Sequence, residues 1–314
     1  MDDAPRSERP TLDDDSGAEL LSAGELAELD RLRRHLALRA ATDAQGGIAS
    51  RRRGQSPEFV DHRAYAPGDD LRRLDWAVLA RSEQTVIKRF RAEEESAVRV
   101  AIDVSRSMAV GAPSKLLLAR RVAAAVAYVS LADGARAQLA TFGARGLELT
   151  PAQRGRGQFG AFVRRLAGVR ADAAGQAPRS PDVSMAELLS RAGRPGVLVV
   201  VSDALDPSGD LDTWPRAIAR ATASGHDVRL LQLLARDDVD PPWDGDLALV
   251  DAESGAEVDV TFDLGARSAY VRRLEALVVA LREGCRRAKA SYVRARSDEP
   301  AVQLVRRLSR GGID

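Results

Sequence analysis

Asp103, Ser105 and Ser107 are spaced two residues apart at the end of the run Val98–Val104, which is apolar but for Arg99 and Asp103. In an extended loop alternate side chains point the same way, so one carboxylate and two hydroxyls can converge on a point. Such hard oxygen ligands select Mg²⁺, Mn²⁺ or Ca²⁺ over zinc or copper. A second apolar run, Val197–Val201, delivers Ser202 and Asp203. Ligands of open α/β sheets sit beyond the carboxyl ends of the strands, where the strand order reverses. If these runs are neighbouring strands there, one carboxylate-and-hydroxyl loop faces another. Two carboxylates at most leave the site incompletely filled, and water or a partner's Asp or Glu would complete an octahedron. The structural alternative is that Asp103 caps the helix that follows and Asp203 caps a helix or turn.

Other chemistries find less support. Gly155-Arg156-Gly157-Gln158-Phe159-Gly160 matches G-x-G-x-x-G. It does not follow the first strand of a βαβ unit, and no acid stands at a strand end about 20 residues on. It is expected to be a loop entering a helix, with Arg154 and Arg156 able to help bind an anion there. A haloacid-dehalogenase-type phosphatase needs Asp-x-Asp after its first strand, and Ser105 takes the second place. His35, His62 and His226 are scattered, and Cys285 is the only cysteine. No intramolecular disulfide or cysteine zinc site can form, and nucleophilic hydrolysis has no support.

Upstream, Arg63, Arg72, Arg73, Arg81 and Arg89 alternate with Glu58, Asp61, Asp69, Asp70 and Asp75. Interleaved signs favour an internal network over a phosphate-binding stripe. The competing reading is a partner-binding face made by Arg63, Asp69, Asp70, Arg72, Asp75, Trp76 and Arg81. Trp76 is expected to be the apolar anchor of the module itself. Ala66-Pro67-Gly68-Asp69 suits a type II turn.

These groups need a scaffold. Leu26, Leu29, Leu32 and Leu36 mark an amphipathic helix over 24–42. From Val98 onward strands alternate with helices. Helices are predicted over Ser114–Ala132, Gln158–Leu166, Ser184–Ala192, Trp214–Ala223 and Ser268–Lys289. Strands are predicted over Arg136–Phe142, Leu147–Thr150 and Val228–Leu234, and a hairpin turns at Ser254-Gly255. The alternation predicts an α/β fold with a doubly wound, mostly parallel sheet. The expected organisation is a disordered acidic tail over 1–20, a helix and charged module over 21–95, the α/β domain over 96–264 and a helical segment over 265–314 packing on it.

Apolar residues make up 45% of the 314-residue chain, enough for a sizeable core. With 47 basic and 46 acidic side chains the charges nearly cancel, so no global attraction to nucleic acid is expected. No apolar stretch reaches the ~20 residues that span a bilayer. The acidic, polar start lacks the features of a signal peptide, so a cytoplasmic location is expected.

The Asp-x-Ser-x-Ser loop resembles the metal-ion-dependent adhesion site of the von Willebrand factor A superfamily. The resemblance narrows with Arg53-Gly54-Gln55-Ser56-Pro57-Glu58-Phe59, Arg63–Asp70, Arg72-Arg73-Leu74-Asp75-Trp76 and Ala80-Arg81, which look like the signature of the bacterial domain of unknown function 58 family. That signature runs directly into the Asp-x-Ser-x-Ser strand, and Lys115 falls where the family places a Lys. The resemblance implies a von Willebrand factor A-like fold, a bound Mg²⁺ (or Mn²⁺ or Ca²⁺), and Asp203 as the later acidic position. It also implies a protein partner, a MoxR-type AAA+ ATPase, served in a chaperone-like or assembly role without enzymatic activity. Sites of this type add a Thr from a later loop, yet no Thr occurs between Pro151 and Asp212. Ser180 or Ser184 would substitute, with Asp182 also in reach. The alternatives are a metal-dependent phosphohydrolase using the same loop, or a structural module with no ion.

Overall fold

The structure is a computed structural model that describes residues 20–33, 59–67, 69–71, 74–82, 84–90, 97–173, 175–176, 179–206 and 208–313. The expected acidic tail, the second half of the helix over 24–42, and Arg72 and Arg73 of the charged module lie outside these residues. The chain forms two compact units, Thr42–Glu95 and the remainder.

In chain order the elements begin with α1 (Ala23–Leu32), β1 (Phe59–Ala64), α2 (Trp76–Ser82), β2 (Val86–Phe90), β3 (Ala97–Asp103), α3 (Lys115–Ala132) and β4 (Arg136–Gly143). They continue with β5 (Gly146–Leu149), β6 (Gln153–Arg154), α4 (Phe159–Ala167), α5 (Pro181–Arg191), β7 (Val197–Ser202), α6 (Thr213–Ala223) and β8 (Asp227–Leu234). The last are α7 (Arg236–Val239), β9 (Gly245–Val250), β10 (Glu257–Phe262), α8 (Leu264–Ala288), β11 (Ser291–Arg296) and α9 (Ala301–Arg310).

The larger unit is built on one seven-stranded sheet in the order β11-β8-β7-β3-β4-β5, with β6 also pairing β4. Every pair from β11 to β4 is parallel, and only β5 and β6 run antiparallel to β4. This is the doubly wound sheet expected from the alternation of elements. Its order reverses between β3 and β7, so the two apolar runs are neighbours at the switch point.

Strand periodicity divides the core. Val98, Val100 and Ile102 of β3 and Val197, Val199 and Val201 of β7 join one cluster with α1, α3, α4 and α9. Ala101, Leu198 and Val200 join the other, with α5, α6 and α8. Both faces are covered, which is why Val197–Val201 reads as an unbroken apolar run and Val98–Ile102 as one interrupted only by Arg99. Each fully buried Val or Leu contributes about 1.5–3 kcal/mol. Helix α3 is buried along nearly its whole length, and Ser114 caps it by accepting the Leu117 amide at 3.1 Å.

Two expected boundaries change. Helix α1 packs Leu29 into the α/β core, and Arg121 donates to Glu25 at 2.7 Å, so it groups with the sheet unit and not with the charged module. The segment after 264 is not only helical, because β11 adds an edge strand parallel to β8. Helix α8 also starts before Ser268, capped by Asp263, which accepts the Ala266 amide at 2.7 Å. Its Arg272, Arg273, Arg282, Arg286 and Arg287 are exposed. Strands β9 and β10 form a two-stranded sheet of their own.

In the smaller unit β1 pairs β2 antiparallel, and Leu74 bridges to Ile87. Among the described residues of this unit Leu74 and Ile87 are the buried apolar side chains, whereas Trp76 is 64% exposed. Trp76 is therefore not the internal anchor of this unit. It stands at the start of α2, where the buried Asp75 takes the capping role, accepting the amides of Ala77 and Val78. No described helix is long and apolar enough to cross a membrane.

Candidate functional site

The site lies where β3 and β7 end. Asp103, the last residue of β3, is buried. Its Oδ1 accepts the Ser105 amide at 2.8 Å and its Oδ2 accepts the Ser202 hydroxyl at 2.6 Å. Ser202 Oγ in turn accepts the Ala204 amide at 2.8 Å. The chain past Ser105 coils into a 3₁₀ turn, Arg106–Ala109, instead of staying extended. The convergence survives, because Ser105 Oγ and Ser107 Oγ lie 3.1 Å apart. Asp103 does not cap a helix; α3 starts at Lys115, and Ser114 caps it. Burial, and then the charge of Asp203, push the Asp103 carboxyl up to about 7.

Asp203 is fully buried and otherwise engaged. Its Oδ2 accepts Lys115 Nζ at 2.9 Å and its Oδ1 accepts the Leu205 amide at 3.1 Å. Lys115 also donates to Asp238 at 3.0 Å. Burial alone would lower the Lys115 pKa, but Asp203 and then Asp238 outweigh it and hold the ammonium charged. Gln232 donates to the Asp203 carbonyl at 3.0 Å and accepts Tyr292 OH at 2.6 Å. The bend beyond Asp203 places buried Ala204 at φ 59°, left-handed backbone that a non-glycine residue enters only when its surroundings enforce it. Among the described residues no salt bridge reaches Asp103, so the two acids differ: one is neutralised, the other is not.

Asp103, Ser105 and Ser107 open on a cavity of about 330 Å³ whose other walls include Gly143, Arg179, Pro181, Asp206 and Trp214. The remaining wall is the β9–β10 turn, Asp251 to Glu253. Glu253 Oε1 accepts the Ser107 amide at 2.9 Å and Oε2 accepts the Arg106 amide at 3.3 Å. At Gly143 a Cβ would collide with the Asp172 carboxylate, so only glycine allows that close approach.

The proposed replacements for the absent Thr separate. Ser184 is buried in α5 and its Oγ has no hydrogen-bond partner. Ser180 is exposed at the N-cap of α5 and its side chain makes no capping bond. Asp182 Oδ2 accepts Arg216 Nε at 3.3 Å, while its Oδ1 is buried without a partner.

Among the described residues no group of three or more His, Cys, Asp or Glu side chains could hold a metal ion. Any fit to a cation rests on a mixed set, the Asp103 carboxylate with the Ser105 and Ser107 hydroxyls. Those are hard oxygens, and the buried, unneutralised Asp103 is the kind of group a cation would offset.

In the smaller unit the charges pair internally. Arg63 donates to Asp69 at 2.7 and 2.8 Å, His62 bonds Asp75 at 2.8 Å, and Asp69 also accepts the Ala66 amide at 2.9 Å. Asp70, Trp76 and Arg81 are exposed, and Arg81 Nε donates to the Ala77 carbonyl at 3.2 Å. The G-x-G-x-x-G match itself forms a 3₁₀ turn, Arg156–Gln158, that runs into α4 at Phe159, as expected of a loop entering a helix.

Residues 61–277, more than half of the chain, match the family described as "Protein of unknown function DUF58". The chain belongs to the DUF58 family. Among similar proteins is the uncharacterized protein Rv1480 of Mycobacterium tuberculosis (strain ATCC 25618 / H37Rv), 32% identical over 225 residues, covering 70% of this chain and 68% of the relative. Similar solved structures include BatB from Bacteroides thetaiotaomicron, at 14% identity, 68% and 98% coverage and a TM-score of 0.41. The SpRpn10 VWA domain is similar at 13% identity, 67% and 93% coverage and a TM-score of 0.38.

Sequence reasoning missed Asp238 and Glu253. Asp238 begins no recognisable motif, and its tie to Lys115 spans 123 residues. The acidic turn Asp251-Ala252-Glu253 beside Ser254-Gly255 was the available signal for Glu253.

Proposed function

We propose that this chain is a non-enzymatic protein-interaction module whose Asp103–Ser107 loop binds Mg²⁺, with Mn²⁺ or Ca²⁺ able to substitute. The observation that carries the proposal is the convergence of the Asp103 carboxylate with the Ser105 and Ser107 hydroxyls on one open cavity at the switch point. Asp103, Ser105 and Ser107 would hold the ion. Ser184, the buried hydroxyl without a partner, is the candidate for the absent Thr, ahead of the exposed Ser180. Asp203 would act from behind, fixed by Lys115. A bound divalent cation supplies a Lewis-acidic coordination position that a partner's oxygen can fill.

The partner follows from the resemblance to the DUF58 family: a MoxR-type AAA+ ATPase, met in the cytoplasm. The exposed residues Asp70, Trp76 and Arg81 offer a second contact face in the smaller unit. A phosphohydrolase using the same loop is disfavoured because Ser105 stands where a haloacid-dehalogenase-type phosphatase needs its second Asp.

The test is a pull-down with a candidate ATPase from the same genome, with and without Mg²⁺. Capture that is lost in EDTA and in Asp103→Ala supports the proposal. EDTA-resistant capture, unchanged by Asp103→Ala, would move the interface to the smaller unit. Mg²⁺-dependent turnover of phosphomonoesters would replace the module by an enzyme.

A further inference from the structure

The β9–β10 turn brings a carboxylate onto the Asp103–Ser107 loop from far along the chain. Glu253 accepts the Ser107 amide at 2.9 Å and the Arg106 amide at 3.3 Å. The turn is shaped to present it. Asp251 Oδ1 accepts the amides of Glu253 and Ser254 and the Ser254 hydroxyl at 3.1, 2.6 and 2.7 Å. The Glu253 carbonyl also accepts the Gly175 amide at 3.0 Å. Glu253 thus walls the cavity on which Asp103, Ser105 and Ser107 open.

The arm that carries Glu253 is lightly held. Its two strands form a separate sheet, and Leu249, Val250 and Val258 are exposed. Few buried apolar contacts and solvent-exposed backbone hydrogen bonds mark segments that open at low free energy. A carboxylate bonded to loop amides needs no partner to be present; its release gives up those two bonds, and movement of the turn also gives up the Gly175 contact.

We infer that Glu253 is an internal acidic ligand of the Asp103–Ser107 loop. It occupies the place of a partner's Asp or Glu, so the β9–β10 arm and an acidic partner exclude each other. This rests on the cation-dependent reading proposed above. The chain would then present its site only when an acidic segment displaces Glu253, which makes the arm a gate on partner choice.

The probes are Mn²⁺ and tetraglutamate, measured by calorimetry on the full chain as wild type, Glu253→Gln, Glu253→Ala and Asp103→Asn. Hydrogen exchange follows the amides of Arg106, Ser107 and the arm. In saturating Mn²⁺ both Glu253 variants should bind tetraglutamate about ten-fold tighter than wild type, because no internal competitor has to leave. Without peptide, Arg106 and Ser107 should exchange faster in Glu253→Ala. In wild type, peptide should speed exchange across the arm. Equal peptide affinity in wild type and both variants, with Mn²⁺ still bound through Asp103, overturns the inference and leaves the metal site standing. Absence of Mn²⁺ binding in wild type, with or without peptide, overturns the cation-dependent reading itself, and this inference with it.

Discussion

The Ser202 hydroxyl donates to the Asp103 carboxylate at 2.6 Å, tying the end of β7 to the end of β3 across the point where the sheet order reverses. One oxygen of Asp103 is thereby fixed by the neighbouring strand and the other by the amide of Ser105 in its own loop. Ser202→Ala removes that anchor and leaves the Ala204 amide without its acceptor. Groups that orient a ligand typically matter by 10–100-fold in metal affinity, and about ten-fold weaker Mn²⁺ binding is expected here. Calorimetry on the purified variant checks it; an unchanged affinity would show that Asp103 orients itself.

Lys115 is a buried cation serving two carboxylates, Asp203 and Asp238. Lys115→Met strands both acids, and breaking a buried pair from one side costs about 3–5 kcal/mol. Urea denaturation should show a loss of that order. Adding Asp203→Asn should recover part of it, and a double variant no more stable than Lys115→Met would contradict the pairing.

The scaffold was more legible than the contacts. Val98–Ile102 and Val197–Val201 lie in strands buried on both faces, and a run that is wholly apolar, or apolar but for Arg99, survives in sequence as such a strand's signature. Asp103 and Asp203 were legible because they end those runs. Strand β11 was not legible. Its residues Ser291-Tyr292-Val293-Arg294-Ala295-Arg296 sit at an edge, with Arg294 and Arg296 exposed, so the run mixes signs of burial. Helix α5 begins at Pro181, ahead of the expected Ser184, because proline suits a first helical turn, where its missing N–H costs nothing. Trp76 was misjudged because composition cannot tell an apolar side chain that seals a small unit from one that faces water. The reach of Glu253 into the loop is a long-range consequence of hairpin placement that no local pattern encodes.

His226 is buried, and burial, then the charge of Arg99, lower its pKa below the usual 6.5. The folded chain therefore holds it neutral where the unfolded chain protonates it. As pH falls from neutral through 6.5 toward the folded-state value, the unfolded state binds more protons and stability drops. Thermal melts across this window should show the decline, and His226→Gln should flatten it. A decline of equal steepness in the variant would assign it to other groups.

Cys285 lies in the core under α6, and burial pushes its thiol up to about 12. The thiolate is the reactive form, so the native chain should resist iodoacetamide at pH 8 and label only in denaturant. Rapid native labelling, followed by mass spectrometry, would show that α8 opens there.

The account stands on Asp103 as the carboxylate of a cation-binding loop. Calorimetric titration of Mn²⁺ into wild type and Asp103→Asn tests it most directly, with circular dichroism confirming that both are folded. Wild type should bind one Mn²⁺ per chain, and Asp103→Asn should bind none. Equal binding by the two, or no binding by wild type, would contradict the account.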